Sequence, residues 1–182
     1  NYMDIEPMYG NLKEAERLID QTHELGMKLI VDIVPNHSSD QHVWFQAALK
    51  SPVGSKARER YIFREGKGAH GEIPPNNWQS VFGGPAWHRL TDADGKPEQW
   101  YLHLFAAEQP DFNWEHPEVR EHFESILKFW LDRGVDGFRI DVAHALIKYP
   151  GLPDIPPARD RASHDELVPD EERPMWDQDG VH

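Results

Sequence analysis

The chain has 182 residues, with 32 acidic against 19 basic side chains, a formal net charge of -13 and no cysteine. This charge disfavours nucleic acid and anionic membranes as partners, and the lack of cysteine excludes disulfides and thiolate metal ligands. No apolar run approaches the roughly 20 residues of a membrane span, but the length suffices for a domain with a hydrophobic core.

The first two predicted elements are an amphipathic helix and a strand. Apolar side chains recur at helical spacing from Leu12 to Leu25, and Gly26 follows where a C-terminal cap belongs. The apolar run 29–34 then predicts a strand, and the polar residues Asn36 and His37 come directly after it.

The segment from Ser38 to Glu115 is far longer than the about 2 to 6 residues of a usual loop between strand and helix. Its many glycines and prolines predict an inserted subdomain of mostly irregular structure with short strands. The best strand candidate is 100–105, and 92–95 before it is a plausible hairpin turn. Aromatic residues are dense here, and we expect most of them to form a small core: Trp78, Phe82, Trp87, Trp100, Tyr101, Phe105, Phe112 and Trp114.

A second helix and strand follow the insertion. Pro117 suits the first turn of a helix, and Gly134 follows its apolar stripe, whose last members are Trp130 and Leu131. The run 137–141 is the second strand. Near-continuous apolar strands that alternate with helices predict an α/β fold with parallel strands buried on both faces. Polar residues at the carboxyl ends of such strands indicate a ligand site.

Arg139 and Asp141 are two residues apart on the second strand, so both side chains share one face. Ionised side chains are seldom fully buried unless paired, and an arginine beside a carboxylate favours the charged form of the acid. This arrangement suits a carboxylate that acts as a nucleophile. A buried ion pair that only holds the strand in place is the alternative interpretation.

Three motifs resemble the α-amylase superfamily of glycoside hydrolases, and within it the α-glucosidase and oligo-1,6-glucosidase branch. They are 32–37, similar to the end of barrel strand three; 109–114, similar to a motif near the end of the inserted domain B; and 137–142, similar to barrel strand four. The resemblance implies a partial (β/α)8 TIM barrel, about strands 3 and 4 with helices 2 and 3, carrying domain B. Since such a barrel usually needs about 250 residues, we expect the chain to be an internal fragment.

The resemblance also implies domain boundaries. Residues 1–37 are a barrel segment with helix 2 and strand 3, residues 38–115 are domain B, residues 116–147 hold helix 3 and strand 4, and residues 148–182 are the truncated loop after strand 4. Beyond about Pro156 we expect too little apolar content for the loop to fold unaided.

The roles implied for single residues begin with Asp141. It matches the nucleophile, which forms a covalent glucosyl intermediate with net retention, and Arg139 matches the arginine that orients it. The other implied roles are substrate contacts, at His37, Phe82, Phe105, Val142 and His144, and structural support behind the site, at Asp32 and Asn36. The family's acid/base glutamate lies on strand five, which is not in these residues, so we expect the chain alone to be inactive.

The implied partner is a small α-glucoside, with no cofactor, no nucleic acid and no membrane, in the cytoplasm. Asn36 matches a position that binds calcium in many amylases, but glucosidases of this branch often lack the ion, and no metal is predicted. The preference between α-1,4 and α-1,6 linkages stays open, because Val142 and His144 occupy the positions that help set it.

Three alternatives concern function. A glucosyltransferase or trehalose-type isomerase of the same family would share the barrel and the nucleophile. A non-catalytic relative, such as a transporter heavy chain, would keep the fold, but the presence of Arg139, Asp141 and His37 argues against it. A nucleotide-binding domain would need a glycine-rich loop after a strand, which 35–37 does not provide.

Overall fold

The computed structural model of the chain describes residues 1–92, 94–155 and 174–181. Most of the segment after Pro156, including residues 156–173, lies outside these ranges, so the prediction about its folding is not addressed by them. The helices are α1 (Leu12–Glu24), α2 (Val43–Leu49), α3 (Lys56–Glu59) and α4 (Pro117–Leu131), and 3-10 helices span Ala143–Ala145 and Asp179–Val181. The strands are β1 (Ile30–Ile33), β2 (Phe63–Arg64), β3 (Trp87–Thr91), β4 (Pro97–Leu102) and β5 (Gly137–Ile140).

Both long helices that the sequence predicts are confirmed, and local chemistry determines where they begin and end. At the start of α1 the Asn11 side chain accepts hydrogen bonds from Lys13 N and Glu14 N, and the Glu14 carboxylate accepts one from Asn11 N. Helix α4 begins with proline, which needs no backbone donor in the first turn. Gly134 follows it with φ +93°, a left-handed conformation that glycine adopts without strain.

Strands β1 and β5 pair in parallel, as expected of an α/β fold, with Ile30 opposite Gly137 and Ile33 opposite Ile140. The expectation that both faces of these strands are buried is wrong for the described residues. Ile33 is 2% exposed, but Ile30 is 63% and Ile140 is 48% exposed. The reason is that each strand has only one strand neighbour in the described part of the chain, where the sheet does not close into a barrel.

The larger core lies between the long helices and the parallel sheet and extends into the segment between β1 and α4, through residues such as Phe45 and Tyr61. Phe123, Ile126 and Trp130 of α4 belong to one buried cluster with Ile19 of α1 and Ile33 of β1. Leu18, Leu25 and Leu131, which the apolar periodicity also predicts to be inward-facing, are more than half exposed. The apolar stripe of each helix is therefore wider than the surface that the described residues cover.

The segment between β1 and α4 forms its own antiparallel sheet, in the order β2-β4-β3. Its predicted hairpin turn is confirmed, because Gly95 N donates to Asp92 O over 3.0 Å and Gly95 has φ +78°. Strand β4 begins at Pro97 and ends at Leu102, three residues earlier at each end than predicted. The helices α2 and α3 were not predicted, because the glycine and proline content pointed to irregular structure.

A second core joins this segment to the chain after β5. Trp78, Trp87, Leu102 and Leu104 are buried with Ala145, and Met175 belongs to the same cluster. Four of the eight aromatic residues expected in a core are buried, namely Trp78, Trp87, Tyr101 and Phe112, and three more, Trp100, Phe105 and Trp114, pack half-buried against the two clusters. Within residues 1–92, 94–155 and 174–181, no helix has the length and apolar character needed to cross a membrane.

Candidate active site

The carboxyl ends of β1 and β5 bring two carboxylates to one arginine. Asp32 lies opposite Arg139 in the parallel register. Arg139 Nη1 donates to Asp32 Oδ2 over 2.6 Å, and Nη2 donates to Asp141 Oδ1 over 2.8 Å. The hydrogen bond to Asp32, followed by the charge of Asp141, raises the pKa of the Arg139 guanidinium. The predicted pairing of Arg139 with Asp141 is confirmed. Asp32 also binds Arg139; the sequence predicted structural support behind the site for Asp32 but did not predict this partner.

Asp141 is held by its backbone as well as by its side chain. Its N–H donates to Ile33 O of the neighbouring strand over 2.8 Å, so the residue extends the parallel pairing by one step beyond β5. The carboxylate remains partly exposed, at 39% of its side chain. An anionic oxygen that is fixed in place and open to solvent is suited to attack an electrophilic carbon.

His37 follows β1 and lies against the segment between β1 and α4. Its Nε2 is 3.1 Å from Gln109 Nε2, its Nδ1 is 3.3 Å from Asn36 Nδ2, and its ring centroid is 5.2 Å from that of Phe105. Burial lowers the pKa of His37; the charges of Asp111 and Asp141 oppose this effect and that of Lys148 adds to it. This shift favours the neutral form of the ring, which has one donor and one acceptor nitrogen.

Phe105 and Phe82 continue the row of rings that starts at His37. The Phe105 centroid is 5.9 Å from that of Phe82 in an edge-to-face arrangement. Ser80 Oγ donates to Phe105 O over 2.7 Å, and Val81 N donates to Leu104 O over 2.8 Å, so the two segments are fixed to each other. Phe82 is 71% exposed, which separates it from the buried aromatic residues of the insertion.

Val142 and His144 lie in the turn directly after Asp141. Val142 has φ +56° and is half-buried against the second core. The His144 ring is 5.0 Å from the ring of Trp176, and Asp177 N donates to His144 O over 2.6 Å. The sequence does not predict a role for Trp176, because no local pattern indicates that this later segment packs against the turn after β5.

A buried ion pair behind the site was also missed. The Lys148 ammonium is 2.9 Å from Asp111 Oδ2 and donates to Asn36 Oδ1 over 2.9 Å and to Ala145 O over 2.5 Å. The side chains of Lys148 and Asp111 are 4% and 0% exposed. Burial lowers the pKa of Lys148, and the charge and hydrogen bond of Asp111 oppose that shift. The Asn36 side chain therefore lies behind the site, where it accepts a hydrogen bond from the Lys148 ammonium.

A cavity of about 700 Å³ has His37 and Gln109 in its wall, together with Tyr2 and His122. Asp141 is not among its lining residues. In the described part of the chain, no group of three or more histidine and acidic side chains is placed to hold a metal ion.

The described residues thus form a parallel sheet packed against helices, with a carboxylate site at the carboxyl ends of its strands. Comparison with known protein families identifies the family of the chain. Residues 1–177 match the model of the α-amylase catalytic domain, so the chain belongs to the α-amylase family.

The chain is also similar to individual members of that family. It is 46% identical to trehalose-6-phosphate hydrolase of Escherichia coli over 154 residues, which are 85% of this chain and 26% of that protein. It is 48% identical to α-glucosidase MAL32 of Saccharomyces cerevisiae over 160 residues, 86% of this chain and 26% of that protein. The chain therefore spans about a quarter of the length of the curated relatives that it matches.

The chain is also similar to solved structures. Trehalose-6-phosphate hydrolase of Bacillus licheniformis matches with a TM-score of 0.80 and 36% identity, over 100% of this chain and 29% of that one. The trehalulose synthase MutB of Pseudomonas mesoacidophila MX-45 matches with a TM-score of 0.75 and 41% identity, over 86% of this chain and 27% of that one. Both comparisons show that the chain shares the fold of these proteins over most of its length.

Proposed function

We propose that the protein containing this chain is a retaining α-glucosidase that acts on α-linked gluco-oligosaccharides. The observation that carries the proposal is the fork of Arg139 between Asp32 and Asp141, at the carboxyl ends of neighbouring parallel strands. Relatives named as α-glucosidases, oligo-1,6-glucosidases and a trehalose-6-phosphate hydrolase support the same class of activity.

In the proposed mechanism Asp141 Oδ attacks the anomeric carbon, and the bond to the departing sugar oxygen breaks as an acid protonates that oxygen. Water then attacks the covalent glucosyl ester, the same acid group now acts as base, and the aspartate is released with net retention. Arg139 keeps the nucleophile oriented through both steps. Asp32, bound to the same guanidinium, holds the arginine.

The second carboxyl group of a retaining enzyme stands about 5 to 5.5 Å from the nucleophile, across the scissile bond. We assign it to a residue outside these 182, since Asp111 is buried against Lys148 and Asp32 is occupied by Arg139. The chain on its own is accordingly proposed to be inactive.

The sugar is proposed to bind between the row of rings and the nucleophile. His37 Nε2, which is 3.1 Å from Gln109 Nε2, can exchange that contact for a hydrogen bond with a sugar hydroxyl. The apolar faces of Phe82 and Phe105 suit the C–H faces of a pyranose. Val142 and His144, next in the chain after the nucleophile, are proposed to contact substrate and to influence which linkage is accepted.

The proposal needs no metal at Asn36. The Lys148 ammonium supplies the positive charge among Asn36 Oδ1, Ala145 O and Asp111 Oδ2, where a hard cation would also find oxygen ligands. The proposed domains keep the predicted boundaries, with residues 38–115 as the inserted domain B of an α-amylase barrel. A cytoplasmic location is part of the same proposal.

A second candidate function is glucosyl transfer to another sugar instead of water. The 41% identity to a trehalulose synthase favours it, and the first chemical step would be the same. A non-catalytic relative is disfavoured because the Arg139 fork is intact. Chromatography of the products from maltose separates the two enzymes: hydrolysis gives glucose alone, whereas transfer gives glucose from the departing group together with a new glucoside.

The test is Asp141→Asn in the full-length protein. Turnover of an aryl α-glucoside should fall by several orders of magnitude, because the amide is no longer an anionic nucleophile. Asp20→Asn, an exposed change on α1, is the matched control and should keep full turnover. A fluorinated glucoside that traps the covalent intermediate should label the peptide containing Asp141 in the wild type. Near-normal turnover of the Asn variant would refute the assignment.

A further inference from the structure

Left-handed backbone at non-glycine residues is concentrated after the proposed nucleophile. In the described residues, non-glycine positions with positive φ are Val142, Leu152 and Asp177, at +56°, +52° and +60°. All three follow Asp141. Val142 is the most unusual of them, since a β-branched side chain at positive φ is a genuine outlier. Such outliers persist only where the surroundings enforce them, and they cluster at functional sites.

The surroundings of Val142 do enforce its conformation. Its carbonyl accepts a hydrogen bond from Ala145 N over 3.0 Å, which closes the 3-10 turn, and Ala145 is fully buried. Lys148 Nζ binds the Ala145 carbonyl, and Asp177 N binds the His144 carbonyl. Hydrogen bonds therefore link the turn both to Lys148 of the buried ion pair and to Asp177 of the later segment.

The consequence falls on Asp141. With extended backbone at Val142 the strand would run on, and the next side chains would alternate across it. The left-handed residue instead ends the parallel pairing at Asp141, one residue beyond β5, where Asp141 N still donates to Ile33 O and Arg139 still donates to the Asp141 carboxylate. The nucleophile is thus held between a pairing that precedes it and a sharp turn that follows it.

We propose that Val142 is a positioning residue, whose left-handed backbone, enforced by the turn Ala143–Ala145, holds the Asp141 carboxylate in the orientation for attack. This role is separate from any contact of the Val142 side chain with sugar. It rests on the proposed function, because it takes Asp141 as the nucleophile.

The test compares substitutions in the full-length protein that alter either the backbone preference or the side chain. Val142→Pro fixes φ at about −65°, so the residue can no longer adopt its left-handed φ of +56°. Val142→Asn and Val142→Gly change the side chain but still favour the left-handed region. Leu152→Pro is the matched control, since it imposes the same change at a second left-handed residue further along the chain.

Two rates report on the nucleophile directly: the rate of covalent labelling by a fluorinated glucoside, and kcat for an aryl α-glucoside. In Val142→Pro both should fall by about 10- to 100-fold, as expected for a misplaced reacting group, with a smaller change in KM. Val142→Asn and Val142→Gly should lose much less of each rate than Val142→Pro, and Leu152→Pro should stay close to the wild type. Thermal melting of each variant confirms that it is folded.

Wild-type labelling and kcat in a folded Val142→Pro variant would overturn the proposal. Losses in Val142→Asn and Val142→Gly equal to that in Val142→Pro would also overturn it, because the side chain and not the backbone would then matter, and equal losses in Leu152→Pro would assign the effect to general disruption of the loop. If Val142→Pro does not fold, Val142→Ala is compared with Val142→Gly, since both lack the branched side chain and only glycine favours the left-handed region; equal rates in these two variants would overturn the proposal. Failure of the proposed function is recognised separately, since Asp141→Asn would then retain turnover.

Discussion

Replacing Lys148 by alanine tests the buried ion pair behind the site. The change leaves the Asp111 carboxylate, which is 0% exposed, without its cation. Leu104 N still donates to Asp111 Oδ1 over 3.0 Å, but one backbone donor does not neutralise the charge. Breaking a buried pair by removing one partner costs about 3 to 5 kcal/mol, so we expect the free energy of unfolding of the full-length protein to fall by about that amount.

A matched control uses the same substitution at an exposed pair. Lys67 Nζ is 2.9 Å from Asp154 Oδ2, the same distance as in the buried pair, but both of these side chains are 52% exposed. Exposed pairs contribute about 0 to 1 kcal/mol. Urea denaturation of Lys148→Ala and Lys67→Ala, with the wild type, therefore separates the effect of burial from the effect of removing a lysine.

The same variant also tests the proposal that the ammonium stands where a metal could bind. Lys148→Ala opens a space bordered by Asn36 Oδ1, Ala145 O and Asp111 Oδ2, and oxygen ligands of this kind suit Ca²⁺. Added Ca²⁺ should raise the melting temperature of Lys148→Ala and leave the wild type unchanged, since a ligand stabilises the state that binds it. Equal losses of stability in Lys148→Ala and Lys67→Ala would refute the reasoning about burial, and an absence of any Ca²⁺ effect would refute the reasoning about the cation.

Two further predictions concern the sugar site and the opposite end of the sheet. Phe82→Ala should raise KM for maltose or isomaltose without lowering the melting temperature, because the ring is exposed; an unchanged KM would remove Phe82 from the substrate site. The Asp136 carboxylate accepts hydrogen bonds from Lys28, Leu29 N and His23, which lower its pKa below 3.8. Asp136 therefore adds to the free energy of unfolding at a pH above about 3.8, and this contribution is lost progressively as the pH falls below that value. The difference in melting temperature between the wild type and Asp136→Asn should shrink as the solution is made more acidic. A difference that stays constant with pH would contradict this prediction.

Much of the local structure follows from the sequence. The helix ends at Asn11, Pro117 and Gly134 are set by groups within one turn of the chain, so that a local pattern is enough to predict them. The shared face of Arg139 and Asp141 follows from the period of two residues in a strand. For the same reason the order of helix and strand units, and the parallel sheet, could be predicted before any contact was known.

The contacts that assemble the site are decided by tertiary structure. Arg139 meets Asp32 across 107 residues, and Lys148 meets Asn36 across 112 residues. No periodicity or capping rule selects such partners, because they depend on how the insertion and the turn after β5 pack together. Whether a predicted apolar face is buried also depends on its neighbours, which is why Ile30 is exposed in the described sheet and Ile33 is not. The sequence by itself thus determined which groups could do the chemistry, and packing over long separations decided which of them stand side by side, because charge pairing and burial depend on distance in space.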